Sequence, residues 1–324
     1  MSRLIGALLL VLIAGASGVS WAADSTYPVK AIRLVIPFAP GGTTDILGRV
    51  VGDRLSARLG QQVLVDNRPG AGGNIAAEVV AKSAPDGYTL FLGSMGTQTM
   101  NGAIYPKLPF DPVRDFAPIT RLVNSANLLV VHPSMPVTSV KQLIQLAKAK
   151  PGELNYSTSG IGSFNHMSAE LFQMMAGVKM VHIAYKSGAQ ALTAVLVGES
   201  QLLFQTIPAA VPFIESGKLR ALAVCASERH PLFPKLPTAS ESGLPGFEIS
   251  TWYGILAPAA TPKDVIVKLN DALVQLVKTP ATQKRLAELG LDPATNTPEE
   301  FVALIRADTV KWTKVIKAAA VKAE

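Results

Sequence analysis

Cysteine is nearly absent from this 324-residue chain, and with Cys225 alone no disulfide can form within it. Cys225 lies in the strand-like run 219–226 and reads as a buried thiol, not a nucleophile, since an apolar run does not favour a thiolate. The four histidines, His132, His166, His182 and His230, share no ligand spacing and have no acidic cluster beside them, so no metal site is expected. Aromatic residues make up only 6% of the chain, and its 30 lysines and arginines are scattered, which leaves nucleic-acid binding without support. Beyond the first residues no apolar run is long enough to cross a bilayer.

What is present begins with a leader. Arg3 is followed by the apolar run 4–14 and by small residues ending at Ser20-Trp21-Ala22, the pattern of a secretory signal peptide over residues 1–22 with cleavage after Ala22. A location outside the cytoplasm follows, and the lack of a cysteine near the cleavage site speaks against a lipoprotein. Removing Arg3 takes the formal charge from +7 to +6, a mild positive field that suits an anionic ligand. The remaining length fits one large or two medium domains.

From residue 32 onward, short Val/Leu/Ile runs alternate with amphipathic stretches, as in a parallel sheet covered by helices on both faces. Strands are expected at 33–37, 62–66, 89–93, 128–132, 154–158, 180–185, 201–205, 219–226 and 251–257. Helices are expected between them. In the first, Leu47, Val51, Leu55 and Leu59 form a stripe and Gly60 gives the stop; others read at 140–150, 166–176, 189–197, 263–277 and 299–321. Stretches 116–127 and 246–257 read as two crossings between halves, a natural hinge.

Several strands end in loops rich in Gly, Ser, Thr and Asn, at 38–44, 67–74, 94–101 and 159–165. In open parallel sheets a ligand lies beyond the carboxyl ends of the strands, where these loops fall. The first, in LVIPFAPGGTTDILGR, passes from strand to proline-glycine turn to helix and so leaves backbone N–H groups and a helix dipole aimed at one point. A carboxylate or phosphate suits that point. Asp45 is either an acidic residue favoured by the dipole or an acceptor facing the ligand. Phe38, Tyr185, Phe204 and Trp252 are either core or cleft wall.

Enzymatic readings fit less well. The run Gly160-Ile161-Gly162-Ser163-Phe164-Asn165 lacks the third glycine of a dinucleotide fingerprint, and no acidic residue ends the next strand, so no cofactor is expected. Around Ser94, LGSMG has Leu92 where a nucleophile elbow needs glycine. Ser163 and His166 lie three apart, yet no third group is evident to orient the imidazole; Ser163 reads instead as a helix cap. A secreted α/β serine hydrolase remains the rival reading.

In order along the chain, YPVKAIRLVIPFAPGGTTDILGR, DNRPGAGGNIAAEVVAKSAPDGYTL, YPKLPFDPVRDFAPIT, LIQLAKAKPGELNYSTSGIGSFNHMSAELF, VHIAYKSGAQAL, GKLRALAV and ESGLPGFEISTWYGILAPAATP resemble the Bug receptors. These are extracytoplasmic substrate-binding proteins of tripartite tricarboxylate transporters. The resemblance implies a type II periplasmic binding protein fold, two doubly wound lobes joined by two crossing strands, closing on a small carboxylate without chemistry. Lobe 1 would comprise 23–124 and 250–324, and lobe 2 would comprise 125–249. Partners would be a small organic acid and an integral-membrane permease; a ligand sensor feeding a two-component system is the alternative role, and a monomer is expected.

The family's gripping loops map onto 38–45 and 159–166. Phe38, Gly41, Gly42, Thr43, Thr44 and Asp45 would then face Ser159, Gly160, Ser163 and His166, with Ser94 and Thr97 from the third turn and Tyr185, Gln205 and Thr206 from the second lobe. Where the family commonly has histidine and aspartate, this chain has Gln98 and Gln205. An amide in place of a carboxylate makes an ammonium group at the distal end of the ligand less expected.

Overall fold

Alternation along each strand decides which core a residue enters. In the computed structural model, which describes residues 27–318 and 321, the run IRLVI forms β1 (Ile32–Ile36). Ile32, Leu34 and Ile36 enter one core and Val35 enters another on the opposite face. Both faces are therefore covered, which is why Leu34, Val35 and Ile36 run on as consecutive apolar residues rather than alternating, with Arg33 near the edge paired to Asp66. The same division sends Leu90 and Leu92 one way and Phe91 the other in β3.

The first half runs β1, α1 (Thr43–Leu59), β2 (Val63–Asn67), a short turn (Ala71–Gly73), α2 (Asn74–Ala81) and β3 (Thr89–Ser94). One π-helical turn (Gly96–Met100) and α3 (Asn101–Ile104) follow. Then come β4 (Phe116–Val131), α4 (Val140–Ala149), β5 (Asn155–Thr158), α5 (Phe164–Ala176), β6 (Val181–Ala184), α6 (Gly188–Leu196), β7 (Leu202–Thr206), α7 (Ile207–Glu215) and β8 (Arg220–Val224). The chain ends with β9 (Ser250–Pro258), α8 (Lys263–Lys278), α9 (Pro280–Glu288), β10 (Asp292–Pro293) and α10 (Pro298–Ala318).

Strand order is β2-β1-β3-β9-β4-β7-β5-β6, with β10 and β8 also on β4. β1 is parallel to β2 and β3, and β5 is parallel to β6 and β7, so the two flanks are α/β units of the expected kind. The antiparallel centre joins them. Phe116 to Ala126 of β4 pair with β9, and Asn127 to Val131 pair with β7, so one 16-residue strand serves both sheets. Loops at the carboxyl ends of β1, β3, β5 and β7 are thereby turned toward one another around one cleft.

The α/β reading holds, but 116–127 is strand rather than a plain crossing. Pro118 hid it from the sequence pattern. The structure places Pro118 at a register shift, where a proline's missing N–H breaks no ladder bond. α7 was hidden likewise by Pro208 in its first turn and Pro212 inside it. α2 and α9, of 8 and 9 residues, were not expected either. The expected leader 1–22 lies outside the described residues, and among those described no helix is long and apolar enough to cross a membrane.

The tightest joint in the shared centre is Gly254 of β9. A Cβ there would meet the backbone oxygen of Thr120 at 2.8 Å and the ring of Phe301. Backbone cannot move aside as a side chain can, so Gly254→Ala is expected to destabilise the protein by about 1–3 kcal/mol. Urea denaturation of the two forms checks this; an unchanged midpoint would contradict the packing described.

Candidate functional site

Four helices begin at one cleft. At the end of β1 the chain turns through 37–42, where Gly41 takes φ +87°, a conformation that favours glycine, and extended Gly42 caps α1 without a side-chain bond. The N–H groups of Thr43, Thr44 and Asp45 consequently find no acceptor in the chain. Small residues on this turn leave those donors open to the cleft.

Asp45 is turned the other way. Its carboxylate accepts from the Gly41 N–H at 3.0 Å and from Asn67 Nδ2 at 3.2 Å, and it pairs with Arg49 at 3.0 Å. Asn67 also donates to the Phe38 carbonyl at 2.9 Å. Asp45 thus braces the turn from behind. Burial pushes its carboxyl up, but hydrogen bonds from Arg49, Gly41 and Asn67 outweigh this and hold it below the usual carboxylate range.

Across the cleft, Ser163 caps α5, accepting the His166 N–H at 3.3 Å, which bears out the capping reading. Ser159 donates to Asn165 Oδ1 at 2.9 Å, and Asn165 Nδ2 donates to the Phe204 carbonyl at 2.5 Å. The N–H groups of Phe164 and Asn165 are free. α6 starts at Gly188 behind the Ser187 cap, and α7 starts behind Thr206. Thr43 Oγ1 and Thr206 Oγ1 lie 2.5 Å apart, a hydroxyl bridge between the two faces. This state of the cleft is nearly shut, with about 50 Å³ open to the centre of a water molecule.

Ten of the fifteen expected site residues line this cleft: Phe38, Gly42, Thr43, Thr44, Ser94, Thr97, Ser159, Ser163, Gln205 and Thr206. Five do not. Gly41 and Asp45 shape the turn from behind it. Gly160 lies against the Tyr185 carbonyl and Gly72. The Tyr185 ring turns outward, its hydroxyl 3.3 Å from Glu199. His166 turns beneath its own loop and accepts the Gly162 N–H on Nδ1 at 3.1 Å.

Sequence reasoning missed Gly72, Gly96, Phe164, Asn165, Gly188, Thr251 and Tyr253, which complete the wall. Most belong to loops already singled out. Thr251 and Tyr253 come instead from β9, whose alternation sends Trp252 to the other side, where it packs on Phe301 and donates to Asp308 at 2.8 Å. Phe204 is core. Both glutamines bond to the chain itself, though the buried Gln98 Oε1 finds no partner. Gln205 donates to the Gly188 carbonyl at 3.2 Å and accepts the Thr206 N–H at 3.1 Å, while Gln98 is fully buried and reaches the Pro112 carbonyl.

No lysine, arginine, aspartate or glutamate lines the cleft. Its positive character therefore comes from oriented backbone N–H groups and helix dipoles, which favour an anion. Ser94 and Thr97 hydrogen-bond each other around the third turn, and no hydrogen bond joins Ser94 or the Ser163 hydroxyl to an imidazole. Among the described residues no group of three His, Cys, Asp or Glu is placed to hold a metal ion.

The chain matches the family model described as tripartite tricarboxylate transporter family receptor over residues 47–321. It is 35% identical over 318 residues to protein BugT of Bordetella pertussis, covering 98% of this chain and 97% of that one. Among solved structures, Rpa4515 of R. palustris with adipate superposes with a TM-score of 0.89 at 38% identity, covering 91% of this chain and 99% of that one. MatC of Rhodopseudomonas palustris with bound malate gives 0.84 at 33% identity, covering 90% and all of that chain.

Because the Asp45 carboxyl is held low in the folded protein, its stabilising contribution is complete above the unfolded carboxylate value near 4 and is lost as pH falls through the folded one. Asp45→Asn is accordingly expected to be less stable than the wild type at pH 7, with the gap narrowing below pH of about 4. Thermal unfolding across that range checks it; a gap independent of pH would contradict the bracing role.

Proposed function

We infer the function from one premise: the chain belongs to the tripartite tricarboxylate transporter receptor family. It is a solute-binding protein that captures a small organic carboxylate between two lobes. The observation that carries this reading is the convergence of four helix starts, with unpartnered N–H groups, on a cleft whose wall holds no ionised side chain. Such a wall attracts one charge sign and offers no nucleophile paired with a base, so we read the site as binding without chemistry.

Adipate in Rpa4515 and malate in MatC are both dicarboxylates, and we take dicarboxylates as the first class to test. One carboxylate would sit between Thr43, Thr44 and Phe164, Asn165, with Ser94, Ser159, Ser163 and Thr206 adding hydroxyls; charge-assisted bonds of this kind are the strong ones. Gly41, Asp45, Gly160 and His166 would shape the loops from behind, and Gln205 would order Gly188 and Thr206. The lobes would be 23–124 with 250–324 and 125–249, a division supported by the change of partner along β4 at Ala126 and Asn127. The leader-like 1–22 and the family together support a periplasmic location, where the protein would act as a monomer and present its closed form to an integral-membrane permease.

A thermal-shift screen of organic acids on the mature protein tests this, since a ligand at a hundred times its dissociation constant adds about 2.7 kcal/mol. Gly42→Val tests the loop. A Cβ at Gly42 meets nothing closer than the Ala39 carbonyl at 4.0 Å, and its φ of −88° suits any residue, so the variant should fold, with a poorer cap costing about 1 kcal/mol. Its side chain would stand in the cleft. Loss of the ligand-induced shift is expected; an undiminished shift would overturn the loop assignment.

A further inference from the structure

The loop 159–163 is held from beneath by two imidazoles. Gly162 donates its N–H to His166 Nδ1 at 3.1 Å. Gly160 donates its N–H to Thr158 Oγ1 at 3.2 Å, and that hydroxyl lies 2.6 Å from His182 Nε2, well inside its 3.3 Å to the Gly160 carbonyl. Gly160 and Gly162 take φ of +118° and +77°, conformations open to glycine, which also leaves them the freedom to depart from this shape when their N–H groups lose an acceptor. The rings of His166 and His182 stack with centroids 4.1 Å apart and planes 14° from parallel, and Tyr156 stacks on His182 at 5.1 Å.

A ring nitrogen that accepts a hydrogen bond carries no proton. His166 is therefore the Nε2–H tautomer, with Nε2 3.7 Å from Glu170 Oε1, an oxygen that also receives the Tyr156 hydroxyl at 2.5 Å and Gln173 Nε2 at 2.9 Å. We propose that the stacked His166–His182 pair positions the 159–163 loop through the lone pair that receives the Gly162 N–H, so that this face of the cleft is formed only while His166 is neutral. His166 is a positioning residue, acting on the ligand through Gly162. The proposal rests on the carboxylate-binding reading above and deepens it by making capture acid-labile.

The groups facing the pair from each packed element are Glu170 on α5, Tyr156 on β5, His182 on β6 and Tyr105 after α3, whose hydroxyl donates to the Ile161 carbonyl at 2.9 Å. Glu170 is the one carboxylate among them. Burial pulls His166 down to about 4, and burial together with His166 pulls His182 to about 4. Both folded values lie below the ordinary value near 6.5, so the neutral-ring contribution is complete above about 6.5 and is lost as pH falls through about 4. Protonating His166 replaces its acceptor with a second donor facing Gly162.

Amide hydrogen exchange and ¹⁵N shifts of Gly162, followed from pH 7 to 3.5 without ligand, test the platform itself. Protection of Gly162 should fall along the titration of His166. His166→Ala should lose that protection at every pH, and His166→Asn, whose Oδ1 stands near the place of Nδ1 and cannot be protonated, should restore it with a flat profile. Affinity for adipate, taken as the ratio of wild type to His166→Asn at each pH so that the acid's own titration cancels, should drop about fourfold between pH 6.5 and 3.5, as the neutral fraction of a group near 4 does. Gly162 protection that ignores His166 titration, or a ratio that does not move, overturns the proposal. Failure of every organic acid to bind at pH 7 would instead overturn the functional reading, with the exchange profile still deciding the platform.

Discussion

The first N–H groups of a helix have no partner inside it, and burying one without an acceptor costs about 1–3 kcal/mol. α1, α5, α6 and α7 all place such groups around one cleft. The arrangement is tolerable when water or an anion supplies acceptors, and much of the architecture follows from that. Gly41 and Gly42 keep side chains out of the way of the α1 donors. Ser163 and Ser187 satisfy the third N–H of the first turn of their own helices, those of His166 and Gln190, and leave the two before it open. The antiparallel pair β4 and β9 puts the two sets of loops face to face.

An ionised lysine or arginine in the wall would bind a carboxylate as well, but it would hold the empty cleft at a cost in desolvation. Backbone donors are fixed in direction, so they select for geometry. The nearest charges are kept out of the wall. Asp45 is neutralised by Arg49 and pointed at Gly41 and Asn67, and Glu170 lies beneath the histidine pair. Thr43 and Thr206 meet at 2.5 Å, so the two faces of the cleft are joined through hydroxyls of its own wall.

The turn from β1 to α1 was legible because proline and two glycines interrupt a buried strand just before a leucine stripe, and the Ser163 cap because a serine precedes a helical pattern. Which atoms face the ligand was less so. Asp45 and His166 lie within gripping loops by position, yet three-dimensional partners from β2, β6 and the loop itself turn both away. Thr251 and Tyr253 escaped notice because alternation along β9 shows that neighbours face opposite ways without saying which way is the cleft. Trp252, the more conspicuous residue, took the outer face. Gln205 read as a ligand selector by comparison with a carboxylate, and the structure shows its amide spent on Gly188 and Thr206.

The central claim is that backbone N–H groups at helix starts, and no ionised side chain, hold the ligand's carboxylate. It is tested most directly by following backbone ¹⁵N–¹H resonances while titrating the mature protein with a dicarboxylate such as adipate. Large downfield proton shifts at Thr43, Thr44, Phe164 and Asn165, saturating together, are the result the account predicts. Saturable binding that leaves those four amides unmoved would contradict it.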